Sequence, residues 1–186
     1  MGDNKIQSGK VLLAEPYMLD PHFKRAAVLL CDHHEEGSIG LIMNKPVNNM
    51  KVDQVIDDFP EFDVPMFYGG PVQTDTLHYI HNVGDLLEES IKIIDGVWWG
   101  GNFEKLKFLI ASSLIQPHNI RFFMGYSGWG EGQLADELTF GSWVVTDMDP
   151  NYLFKIKPEN LWKQAMQNKG DHYTVIAQMP EDMNWN

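Results

Sequence analysis

Basic side chains and cysteine are scarce in this 186-residue sequence. Lysine and arginine total 14 against 26 acids, for a formal net charge of −12. The only arginines are Arg25 and Arg121. A surface that tracks a phosphate backbone needs clustered cations, so direct nucleic-acid binding is not expected, and neither is adhesion to an anionic membrane. The single cysteine, Cys31, excludes an intramolecular disulfide and fits a reducing compartment. No apolar run approaches membrane-spanning length. The opening MGDNKIQSGK has no apolar core of the kind a secretory signal needs. Ile6 stands where a myristoylation motif requires Ser or Thr. The expectation is a cytoplasmic protein whose acidity serves solubility. There is no internal repeat, linker or low-complexity segment.

What is present reads as one globular domain. Hydrophobic residues make up 44% and charged residues 22%, enough apolar content to build a core at this length. The reading places a frayed N-terminus over 1–8, one α+β domain over 9–180 and a frayed tail over 181–186. Short strands run from Val11 to Ala14 and from Arg25 to His34, the latter alternating Ala27, Leu29, Cys31 and His33 on one face. Glu35-Glu36-Gly37 turns the chain into an antiparallel partner, Ser38 to Asn44. Val52 to Phe59 has the spacing of a short amphipathic helix. Asn102 suits the N-cap of a helix over Phe103 to Ile115. Pro158 opens a last helix carrying Leu161, Trp162, Ala165 and Met166 on one face. Tyr173 to Ala177 reads as an edge strand. Short turns between strands argue for a bent, mixed and largely antiparallel sheet flanked by helices.

The stretch Arg121 to Leu138, RFFMGYSGWGEGQLADEL, organises the rest. A buried strand ends near Met124, a glycine-built corner follows, and a short helix starts at Gln133. Glycine admits positive φ and close backbone approach. Such a corner either presents backbone N–H groups to an anion or lets Trp129 pack under a neighbouring strand. Cys31 and His33, two apart on a strand, form a candidate thiol–imidazole pair, with His81 as a third member. The alternative is a buried cysteine in an apolar strand. No metal-binding spacing appears among the histidines. Ser127 lacks the second glycine of a nucleophile elbow, since Trp129 stands there. Each arginine borders an apolar strand. Each is either an ion pair with an acid such as Asp20 or Glu137, or a fork for a carboxylate or phosphate.

Four segments in order, GKVLLAEPYMLDPHFKRAAVLLCDHHEEGSIGLIMNKP, FYGGPV with LHYIH, GYSGWGEGQLADEL and LFKIKPENLWKQA, resemble the bacterial AlgH/YqgE family over about residues 9 to 170. The matching positions include Asp20, Phe23, Cys31, His33, Asn44, Gly69, Gly70, Pro71, His81, Gly125, Tyr126, Trp129, Gly132, Gln133 and Trp162. The resemblance implies a single α+β domain with a pseudo-barrel-like sheet. Members are commonly labelled transcriptional regulators, but it implies no known reaction. Ala26 and Ser127 depart from the family pattern, where a hydroxyl residue and alanine are usual.

Together these readings point to a regulator that works through a protein partner or a small ligand, without a cofactor. The expected ligand surface is Gly69, Gly70 and Pro71 with Gly125, Tyr126, Gly128, Trp129, Gly130, Gly132 and Gln133, and secondarily Arg25 and Arg121. The alternative is an enzyme or redox sensor using Cys31 with His33 and His81. The sequence shows no complete catalytic set, and it does not fix the partner or the oligomeric state.

Overall fold

A computed structural model of the chain describes residues 5–181. Ten strands form one sheet: β1 (Lys10–Ala14), β2 (Ala27–His34), β3 (Gly37–Ile42), β4 (Pro46–Lys51), β5 (Pro65–Tyr68), β6 (Val72–His81), β7 (Ile91–Ile94), β8 (Val97–Trp99), β9 (Ile120–Gly130) and β10 (Trp143–Asp147). Six helices accompany them: α1 (Val52–Val55), α2 (Phe103–Ala111), α3 (Gln133–Thr139), α4 (Asn151–Phe154), α5 (Pro158–Lys169) and α6 (Asp171–Ala177).

The main path runs β10-β1-β2-β3-β9-β6-β8-β7, and β5 joins β9 as the parallel pair. The sheet curls into a half-barrel. Five strands separate β1 from β7 in that order, yet a Cβ on Gly9, just before β1, would lie 2.7 Å from Ile94 of β7. Only a sheet bent back toward itself brings those ends together.

Both faces of the sheet are covered, which explains the continuous apolar run of β2. Val11, Leu13, Ala27 and Leu29 meet Leu153 of α4, Leu161, Trp162 and Met166 of α5, and Ala177 of α6 on one side. Leu12, Val28 and Leu30 meet Trp129, Leu134 of α3 and Trp143 on the other. A third cluster joins Tyr79 and Phe122 to Leu106, Leu109 and Ile110 of α2. Asn102 caps α2, its side chain accepting from the Lys105 N–H at 2.9 Å. Pro158 stands in the first turn of α5.

Four elements differ from the sequence expectation, the first being α2, which ends at Ala111 rather than Ile115. Tyr173 to Ala177 is not an edge strand but most of α6. Tyr173, Ile176 and Ala177, at helical spacing, pack on the core beneath α5. The amphipathic stretch after Val52 makes one helical turn only, since Ile56 is already extended, and the Asp53 carboxylate accepts the Phe62 N–H of the returning chain at 2.9 Å. β9 does not stop at Met124 but continues through the glycines to Gly130. Of the expected N-terminal frayed stretch, residues 5–8 are described, and Ile6 packs against the Trp129 cluster. The tail after Glu181 lies outside the described residues.

Candidate functional site

The two glycine segments singled out in the sequence do meet, as one backbone packed directly on another. Gly125 has φ +69, and a Cβ there would lie 2.4 Å from the Gly70 carbonyl oxygen. A Cβ on Gly69 would meet the Gly125 carbonyl at 2.3 Å, and one on Gly70 the Tyr126 carbonyl at 2.2 Å. The backbone groups are engaged: Gly69 N–H donates to Met124 O at 2.9 Å, and the Ser127 hydroxyl donates to Gly69 O at 3.0 Å. Gly128 and Gly130 pair with Ile39 and Gly37 of β3. Pro71 is exposed, and Tyr126 is half-buried against His78.

Beyond the crossing, Trp129 is 5% exposed. Its indole N–H donates to Glu137 at 2.9 Å, the Trp143 indole donates to the same oxygen at 2.7 Å, and the Gln133 amide donates to the other oxygen at 2.9 Å. Gly132, at φ +73, precedes α3 and has open space around it. The glycines thus let β9 change partners, from β5 and β6 to β3, while tucking Trp129 beneath the sheet.

The thiol candidates are separated. The β2–β3 register slips between Leu30 and Asp32, so Cys31 is the extra residue of a bulge. A bulge reverses the alternation beyond it. Cys31 therefore packs with Leu29 and the helices on one face. His33 pairs with Ser38, whose neighbour across β3 and β9 is Trp129 on the other face. His33 Nδ1 lies 2.6 Å from the Ser38 hydroxyl. The Cys31 thiol is 3% exposed and its hydrogen bond goes to Leu29 O. Burial, helped by Asp32, pushes its pKa well up, the opposite of an activated thiolate. His81 follows Tyr79 on the α2 side of the sheet, with Nε2 2.8 Å from Gly100 O and 3.1 Å from the Ser90 hydroxyl. Cys31, His33 and His81 do not form one site.

The arginines are different. Among the described residues neither forms an ion pair, so the expected partners Asp20 and Glu137 are not used: Asp20 bonds His22, and Glu137 holds the indoles. Arg121 packs its guanidinium 4.3 Å from the centre of the Phe67 ring and donates one hydrogen bond, to Met43 O at 3.0 Å. Burial lowers its pKa to about 10. It opens on a mostly apolar cleft of about 300 Å³ lined by Val64, Pro65, Ile120, Leu153, Phe154 and Pro158 among others.

Arg25 lies on the other side of the Met43–Lys45 segment. Its backbone is left-handed, φ +53, an uncommon state for a residue with a side chain. Asn44 clamps this turn, donating to Arg25 O at 2.8 Å while accepting from Ala27 N–H at 2.9 Å. The guanidinium stacks 4.3 Å from the Trp162 ring centre, and the Trp162 indole is anchored on Ala14 O at 2.9 Å. A second cleft of about 350 Å³ opens here, with Lys24, Lys45 and Lys163 around Arg25. Pro158, at the start of α5, lines both clefts.

Comparison with known proteins agrees with this architecture. The AlgH-like family profile matches residues 11–174. The chain belongs to the AlgH-like family. A UPF0301 protein of Chlorobium limicola is 43% identical over 178 residues, covering 96% of this chain and 95% of that one. UPF0301 protein CT0663 of Chlorobaculum tepidum is 43% identical over 176 residues, covering 95% and 94%. Among solved structures, the AlgH protein of Pseudomonas aeruginosa superposes with a TM-score of 0.74 at 26% identity, over 97% of both chains. Protein DIP2367 of Corynebacterium diphtheriae shares the fold, with a TM-score of 0.79 at 20% identity over 96% and 95%.

Several AlgH-like positions acquire roles in this geometry. Asn44 holds the Arg25 turn, Trp162 carries the guanidinium, and Gly69, Gly70 and Gly125 make the backbone crossing. Lys45, Pro158 and Lys163 were not among the expected site residues, because Pro158 and Lys163 reach Arg25 from more than a hundred residues along the chain and Lys45 only through the turn that Asn44 clamps. Among the described residues no cluster of three His, Cys, Asp or Glu could hold a metal, and no helix is long and apolar enough to cross a membrane.

Proposed function

We propose that this AlgH-like protein is a non-catalytic regulator that binds a small amphipathic carboxylate in the Arg121 cleft, its occupancy being read by a protein partner. The observation that carries this reading is a largely buried guanidinium that forms no ion pair among the described residues and faces an apolar cleft. A buried charge is costly unless it is paired. Phe67 and the Met43 carbonyl offset part of that cost, and the lowered pKa is its signature. A ligand carboxylate would supply the missing counter-charge in a fork-shaped, charge-assisted contact. Its apolar portion would lie along Leu153, Phe154 and Pro65. The acidic composition supports a protein reader over DNA.

Titration with octanoate and phenylacetate, followed by NMR and calorimetry, tests this. Binding is expected for the carboxylates and not for the corresponding primary alcohols. Arg121→Gln is expected to lose about ten-fold or more in affinity while leaving the melting temperature unchanged or raised, since it removes an uncompensated charge. Equal binding of acid and alcohol, or a variant that melts several degrees lower with binding intact, sinks the reading.

A further inference from the structure

The Arg25 cleft carries a separate inference, because the chain itself already sits on it. Arg25 Nη2 donates to the carbonyls of Met179 and Pro180, at 2.8 and 3.0 Å. Glu181 lines the cleft and acts electrostatically on Lys45. The segment after α6 therefore lies against Arg25 as a strap, spending one guanidinium nitrogen on backbone oxygens and adding the Glu181 carboxylate to a cleft where Glu159 of α5 already stands among the cations. The match is incomplete: Arg25 Nε is buried with no hydrogen-bond partner. Lys45 is itself partly desolvated and donates to Lys24 O. Arg25, Lys45 and Lys163 gather at one cleft of a protein that has only 14 basic residues and a net charge of −12. A left-handed Arg25 held by Asn44 and stacked on an anchored Trp162 is a positioned group, not a loose surface cation.

The geometry points to a gated site for a small phosphate-bearing anion, closed by Met179–Glu181 and opened when the anion displaces them. Phosphate fits better than a single carboxylate because its several oxygens can engage the guanidinium fork and the lysines at once. The charged lining distinguishes this site from the apolar Arg121 cleft, although Pro158 borders both, and Arg121→Gln is expected to leave pyrophosphate binding here unchanged. The strap is tethered, so it competes at a high effective concentration and weakens the apparent affinity of any ligand that must displace it.

The test uses pyrophosphate as the probe, at low salt, with the full chain and a chain ending at Gln178. The shortened chain is expected to bind about ten-fold or more tightly than the full chain, and Arg25→Gln in the shortened chain to abolish binding. Glu181→Gln in the full chain, which leaves α6 untouched, is expected to tighten binding several-fold. It carries the test if the shortened chain fails to melt cooperatively. Equal affinities for full chain, shortened chain and Glu181→Gln overturn the gate. Absence of both pyrophosphate binding and vesicle binding in every chain overturns the site. Co-sedimentation with phosphatidylglycerol vesicles but not with phosphatidylcholine vesicles, without pyrophosphate binding, overturns the soluble ligand in favour of a headgroup.

Discussion

Glu137 shows how one side chain organises its surroundings. Two indole N–H groups, from Trp129 on β9 and Trp143 on β10, converge on a single carboxylate oxygen, and Gln133 occupies the other. Both rings are buried and meet edge to face at 5.9 Å. Glu137→Ala strands two donors that have no other acceptor among the described residues, at an expected cost of about 2–4 kcal/mol. Urea unfolding of Glu137→Ala beside Glu137→Gln, which keeps an acceptor oxygen and loses less, measures it. Cys31 is the opposite case, a titratable group that its neighbours silence. Iodoacetamide at pH 8 is expected to alkylate the native protein about a hundred-fold more slowly than the unfolded chain. His33→Ala should not change that rate, because the bulge puts the imidazole on the other face. A fast native reaction that slows in His33→Ala would restore the thiol–imidazole pair.

At the level of elements, β9 is the centre of the fold, and its glycines decide its course. Gly125 needs both its positive φ and its missing Cβ, because the Gly70 carbonyl occupies the place a methyl would take. Gly130, five residues on, faces open space with no left-handed constraint. Gly125→Ala is therefore expected to cost at least about 2 kcal/mol through strain and displaced backbone. Gly130→Ala should stay within about 0.5 kcal/mol. Denaturant midpoints of the two variants side by side give the contrast, and similar losses at both positions would contradict it. The sequence located this corner but ended the strand too early. It also took Tyr173–Ala177, rich in β-branched residues, for a strand. Local preference favoured extension there, and the apolar surface presented by the core beneath α5 favoured a helix with Tyr173, Ile176 and Ala177 inward. The slip at Cys31 is equally invisible in a list of residues, since a bulge is a property of two strands together.

Across the whole molecule, burial couples stability to pH through His81 and His78. Burial lowers both imidazole pKa values from the usual 6.5, with the Gly100 carbonyl opposing it only partly at His81. The unfolded chain therefore takes up protons before the folded one does. Stability is complete above about pH 6.5 and falls as pH drops through the lowered folded values. Urea midpoints are expected to decline between pH 7 and 5, and His81→Gln to flatten that decline even if it lowers the midpoint at pH 7. An unchanged slope would mean that the acid sensitivity arises elsewhere.

The sequence by itself determined the broad outcome: one α+β domain, a largely antiparallel bent sheet, a capped α2, a proline-started α5 and membership of the AlgH-like family. These follow from periodicity, turn residues and ordered motifs, which are local and survive in one dimension. It also marked both arginines as unusual, since a cation beside an apolar strand stands out in any reading. Only the tertiary structure decided what those arginines face. The curl of the sheet and the placement of α4 and α5 created two clefts from distant segments, left each guanidinium without an ion pair among the described residues, and laid Met179 and Pro180 against Arg25. Counter-charge and desolvation depend on distances across the fold, and no spacing along the chain encodes them.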